Sequence, residues 1–177
     1  MDGTYYSRPA NVGRKTILNV AIDGNFNLAK WMTLHLYAEF VNIKSSTDFY
    51  TGYLETNGNF FRTTPNVQLT FSPTWSGELN YRYQSRIRDV QFIIGAYSEA
   101  GLAVQKKLSP KTTLKLALND MFRGRVINGI INNLAATEAN WKNKSDSRTA
   151  VLSFSYRFGK TFSTTARSEQ SGAESEK

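Results

Sequence analysis

The 177-residue sequence contains no cysteine, so disulfide staples, a thiol nucleophile and thiolate metal ligands are excluded. Its single histidine, His35, has no partner for base catalysis: Glu39 lies further along the same face of an extended chain, beyond hydrogen-bond reach. A lone histidine of this kind reads as a polar wall residue. Gly-rich phosphate loops and metal-ligand spacings are missing as well. No apolar run comes near the roughly 20 residues that a spanning helix needs, and mean hydropathy is −0.43. The first residues show no basic segment followed by an apolar stretch, hence no secretory signal. Acidic residues are in the minority, 14 against 22 basic, for a net charge of +8. That excess invites a nucleic-acid reading. Nucleic-acid binders concentrate their cations in a stripe or a recognisable module, whereas here Lys30, Arg82, Lys111, Arg125 and the others are scattered to strand ends and turns. No nucleic-acid partner is expected.

What the chain does have is alternation. Ala150, Leu152, Phe154, Tyr156 and Phe158 place an apolar residue at every second position, with Ser153, Ser155 and Arg157 between them and Val151 as the one exception. One face is greasy and the other wet. The pattern recurs at membrane-spanning length through most of the chain, and the aromatic residues, 13% of the total, gather near strand ends. These features point to an all-β, antiparallel transmembrane β-barrel wall. Its lumen face is polar, so each strand averages out as hydrophilic.

Seven strands are predicted, over residues 16–27, 32–43, 60–72, 76–88, 90–108, 112–122 and 148–158. Leu79, Tyr81, Tyr83, Leu114, Leu116, Leu118, Leu152, Phe154 and Tyr156 are expected to face lipid, and Glu78, Arg82, Lys115, Ser153 and Arg157 the lumen. Short turns near Lys30, Thr74 and Pro110 alternate with longer connections near Ser46, Arg88 and Asn132. The short turns and the C-terminus are therefore expected on the periplasmic side. Residues 2–15, 44–59 and 123–147 read as outer loops, the last rich in Asn and a candidate hairpin above the membrane. Pro65 is placed near the outer end of its strand, where a missing donor does least harm, and Gly95 and Gly101 at bends or small lumen positions. Residues 1–159 thus read as an outer-membrane β-barrel segment. Residues 160–177, rich in Ser, Thr, Glu and Gln, read as a disordered polar tail. Bacterial single-chain barrels have an even number of strands, and hydrocarbon cannot satisfy an open sheet edge. The chain is accordingly expected to be a fragment of a larger barrel and not to close by itself.

Two passages carry a family resemblance: Asn119-Asp120-Met121-Phe122, and Arg148 through Gly159 with its ending Leu152-Ser153-Phe154-Ser155-Tyr156-Arg157-Phe158-Gly159. They resemble the C-terminal end of a TonB-dependent receptor, or of the closely related outer-membrane β-barrel family. The resemblance implies a bacterial outer-membrane barrel of roughly 22 strands, filled by an N-terminal plug, that imports a scarce ligand with energy relayed from the inner membrane. Contact with TonB would run only through missing N-terminal regions. It also implies that Phe154, Tyr156 and Phe158 form the signal read by the barrel-assembly machinery, although residues 159–177 follow Phe158 where many barrels end on that aromatic. Outer-membrane lipid and lipopolysaccharide are the further partners, with the basic rim able to meet anionic head groups.

No cofactor, metal or catalytic residue is expected, the chain is not read as an enzyme, and no ligand-binding residue is assigned. Asp120, beside Asn119 at a strand top, is read as organising its turn by local side-chain bonding. Arg123-Gly124-Arg125 is read as a solvated loop ahead of an anion grip. The alternative is a small autonomous structural or adhesion barrel of about eight strands, with residues 2–8 as the extra strand. A soluble lipocalin-like binder, its apolar face turned inward, is more distant.

Overall fold

The computed structural model describes residues 13–49, 52–135, 137–144 and 146–159. Most of the first expected loop, the extra strand at 2–8 and the tail at 160–177 lie outside these. Alternating apolar and polar residues give eleven β-strands and no helix among the described residues. In chain order they are β1 (Gly13–Ala29), β2 (Met32–Phe49), β3 (Gly52–Thr70), β4 (Trp75–Gln84), β5 (Ile87–Asp89), β6 (Phe92–Ile94), β7 (Tyr97–Ser109), β8 (Thr112–Asn119), β9 (Val126–Leu134), β10 (Thr137–Lys144) and β11 (Thr149–Tyr156). Seven of them form one antiparallel sheet in the order β1-β2-β3-β4-β7-β8-β11, the wall. Within the wall each strand pairs with the next in the chain. The sheet is open, since among the described residues β1 and β11 each pair on one side only.

Residues directly opposite one another in a ladder share a face, so the register assigns the two surfaces. Val67, Leu79, Leu102, Leu118 and Ala150 form one row across the wall. Val104, Leu116 and Leu152 form the next, and Lys106, Leu114 and Phe154 the one after. Gln68, Glu78, Ala103 and Ala117 lie on the opposite face, as do Gln105, Lys115 and Ser153. The lipid-facing and lumen-facing sets expected from alternation therefore occupy opposite sides. Arg157 follows the last strand residue, with its N–H bonded to Lys111 O at 2.9 Å beside a short turn, so no ladder pair assigns its side.

Above the middle of β2 the pattern turns over. From Met32 to Phe40 the outward residues are apolar; beyond it Asn42, Lys44 and Ser46 point outward while Val41 and Ile43 point inward and are buried. The outward ring pair Phe40 and Phe61 marks the change. Directly above it Asn42 Nδ2 donates to Asn57 Oδ1 at 2.8 Å and Asn59 Oδ1 at 2.6 Å. Nine residues of strand reach roughly 30 Å, and with the usual tilt they cover most of an apolar band about 25 Å tall. Phe40 and Phe61 accordingly mark the upper limit of the lipid zone, and the longer β1, β2 and β3 continue past it.

Several sequence expectations are corrected here. Residues 44–59 are not a loop: β2 and β3 run almost to its tip, paired from Phe49 with Gly52 down to Met32 with Leu69. Gly13 to Lys15 belong to β1 rather than to a loop. The fourth strand stops at Gln84 and the sixth at Asn119, not at 88 and 122. The long strand expected over 90–108 is two pieces, β6 as the second half of the β5–β6 hairpin and then β7. Residues 123–147 do contain a hairpin, β9–β10, and it pairs through β6 with β5 to give a second sheet in the order β10-β9-β6-β5. Pro65 sits inside β3, opposite Leu36. The β3–β4 ladder lapses between Thr63 opposite Tyr83 and Asn66 opposite Asn80, where proline offers no donor.

Candidate functional site

The wall's polar face and the second sheet folded over it form the candidate site. The second sheet is built from two connections far apart in the chain, joined where Ile93 faces Ile130 and Ile94 faces Gly129. Gly129 is bare because the Trp141 ring occupies the space its Cβ would take, and Phe92 meets that ring edge-on with centroids 6.0 Å apart. Val90, at φ 52°, turns the β5–β6 hairpin, and its carbonyl accepts from Asn133 Nδ2 at 2.9 Å.

This sheet rests on the inner face of β2 and β3 above the lipid zone. Gly58 marks the contact: a Cβ there would stand 2.7 Å from Arg88 O. Asp89 fastens the edge, 2.6 Å from Lys15 Nζ and 3.4 Å from Ser45 Oγ, which donates to it. Beneath lie Val41, Ile43, Ser45, Thr47 and Thr56, all buried. The inverted pattern of β2 thus has a physical cause: its upper outward face meets water and its upper inward face meets a lid of chain.

Lower down the inner face is open and polar. Glu39, 3% exposed, is ion-paired with Arg62 and accepts from Tyr37 Oη at 2.7 Å and Asn19 Nδ2 at 3.0 Å. Glu78 accepts from Asn66 Nδ2 at 2.7 Å and Lys115 Nζ at 3.2 Å. His35 lies 3.1 Å from Asn25 Oδ1 and 3.6 Å from Asp23 Oδ1. Glu39 turns to Arg62 and not to the histidine. A concavity of about 510 Å³ opens here, lined among others by His35, Gln68, Asn80, Arg82 and Glu99. Arg82 stands directly opposite Glu99, yet Glu99 Oε1 is 3.5 Å from Arg125 Nε of the loop above. The lining offers amide, carboxylate and guanidinium groups, donors and acceptors together.

At the top of β8 Asp120 behaves as its sequence position suggested. At φ 43° and 4% exposed, it accepts from Gly124 N at 2.7 Å, Arg125 N at 3.3 Å and Ser147 Oγ. Burial opposes its charge, but the Ser147, Gly124 and Arg125 donors outweigh burial and hold its carboxyl below the ordinary value. Gly124 passes so close that a Cβ would run into Ser98 O. The neighbouring cations are not free for a ligand: Arg123 pairs with Asp146 at 3.1 Å, and Arg125 with Glu99 as above. Bonds from Arg148 first and then Arg123 lower Asp146 to about 2. Sequence reasoning missed the Glu39 cluster and the inner lid. The only available signal was the apolar pair Val41 and Ile43 out of step with the residues before it.

No curated protein and no solved structure is significantly similar to the chain. Residues 1–156 match the profile of the outer membrane protein beta-barrel family, whose hallmark is the surface described above, apolar outside and polar within. The chain is therefore a protein of the bacterial outer membrane and belongs to that family.

Proposed function

We propose that this chain is the C-terminal wall of a TonB-dependent receptor that draws a scarce ligand through the outer membrane, a transport role without catalysis of its own. The observation that carries the reading is the open seven-stranded wall whose inner face is polar and roofed at one end by its own connections. An apolar belt with unpaired edges needs further strands to persist in hydrocarbon. A polar inner face with a concavity of about 510 Å³ suits a hydrated lumen that a solute or a plug can occupy. The Asn119-to-Phe122 and Arg148-to-Gly159 passages agree with that ending. On this reading Phe154, Tyr156 and Phe158 are read by the barrel-assembly machinery, and lipopolysaccharide surrounds the outer end.

Nutrient-limited growth tests the proposal. A strain lacking the gene should lose growth on one scarce nutrient, and disabling the inner-membrane energy source should reproduce the loss. Unchanged growth on every limiting nutrient, or uptake that persists without that energy, would reject transport.

A further inference from the structure

Charge is divided unevenly between the two ends of the wall. At the short-turn end the sequence passes through 28–33, 70–76, 106–113 and 156–159, which hold five cations, Lys30, Lys106, Lys107, Lys111 and Arg157, and no Asp or Glu. At the other end acids and bases are mixed: Lys15, Arg123, Arg125 and Arg148 have carboxylate partners, while among the described residues Arg14 and Lys44 have none. The short-turn rim is continuous: Thr70 N bonds Trp31 O at 2.8 Å, Lys107 N bonds Thr74 O at 2.8 Å, and Arg157 N bonds Lys111 O at 2.9 Å.

Four of the five cations stand on the outward face or beyond the strand ends, at the level of the lipid head groups. Lys106 shares the outward row of Leu114 and Phe154, and its Nζ lies 4.3 Å from the centre of the Trp75 ring. Lys30 and Lys111 are turn residues and Arg157 follows the last strand. Among the described residues no carboxylate pairs with any of these four. Lys107 is different, since it shares the inner face with Thr113 and Ser155. Trp31, Phe71, Trp75 and Phe158 are exposed around the same rim, as aromatic residues are at the edge of a hydrocarbon layer.

We propose that the short-turn rim, through Lys30, Lys106, Lys111 and Arg157, binds the headgroups of anionic phospholipids in the periplasmic leaflet. The proposal rests on the outer-membrane location and on the short turns being periplasmic, and not on the transport reading. Each basic residue at an anionic surface raises local affinity on the order of five-fold. Exposed pairs of this kind weaken as salt shortens the Debye length.

The test uses the protein assembled in the outer membrane and extracted intact, then exposed to vesicles of phosphatidylcholine with or without phosphatidylglycerol. Retained lipid is measured by mass spectrometry. The wild type should hold phosphatidylglycerol at several times its share of the vesicle, and K30Q/K106Q/K111Q/R157Q should return to that share. R14Q/K44Q, at the opposite end, should remain enriched. No enrichment in the wild type, enrichment that survives the fourfold substitution, or equal loss in R14Q/K44Q would overturn the proposal. Should the fourfold variant fail to assemble, a salt titration of the wild type decides instead: enrichment must fall steeply with salt, and enrichment indifferent to it would overturn the proposal.

Discussion

At the scale of single residues, the side a residue faces decides what its replacement costs. Leu116 lies on the outward apolar row and Arg82 on the polar inner face. Leu116→Arg places a charge in hydrocarbon at about 2–4 kcal/mol, so heat-modifiable gel migration of the assembled barrel should be lost or sharply reduced. Arg82→Glu should leave it intact, and equal damage from both would remove the membrane assignment of these faces. Asp120 and Asp146 give a pH prediction. Both carboxyls are held below their ordinary value, so their support for the loop clasp is complete above 3.8 and is lost for Asp146 as pH falls through about 2. Amide exchange at Gly124 and Arg125, whose N–H groups bond Asp120, should accelerate, once corrected for the intrinsic effect of pH, as pH falls below 3.8. A flat profile would show that the carboxylates do not hold the clasp. Asp120 was legible in the sequence because a short acid beside Asn at a strand top has few other uses. Glu39 was not, since its alternation position is the same whether it meets water or Arg62.

Among elements, legibility followed the solvent. Wherever one face met lipid and the other a lumen, as in β4, β8 and β11, alternation set strand and side together. Beyond Phe40 the faces exchange environments, and a rule that reads polar outward residues as the end of a strand stops there. Register records what composition hides: β2 continues in unbroken pairing to Phe49. The β5, β6, β9 and β10 pieces were obscured for a second reason, because each is short and finds its partner far along the chain. Gly58 tests their seating. Gly58→Val would drive a side chain into Arg88 O, which leaves only 2.7 Å for a Cβ, and should lift the lid while the wall stays paired. A cysteine placed at Ile43 should react with a thiol reagent in the Gly58→Val background and resist it otherwise. Equal reactivity in both would mean the lid does not cover that face.

For the whole molecule, the two edges left unpaired among the described residues dominate. β1 and β11 expose backbone donors and acceptors along their outer sides, and neither lipid nor detergent can satisfy them. The isolated chain should therefore aggregate on refolding in detergent. A protease-resistant, heat-modifiable monomer would instead favour the autonomous barrel. The inner lid has a consequence for the order of events. Val41 and Ile43 are synthesised well before residues 87–94 and 126–144, the segments that later hide them. Until the last third of the sequence arrives nothing in the chain can cover that apolar strip, so the upper half of β2 reaches its folded surroundings only late.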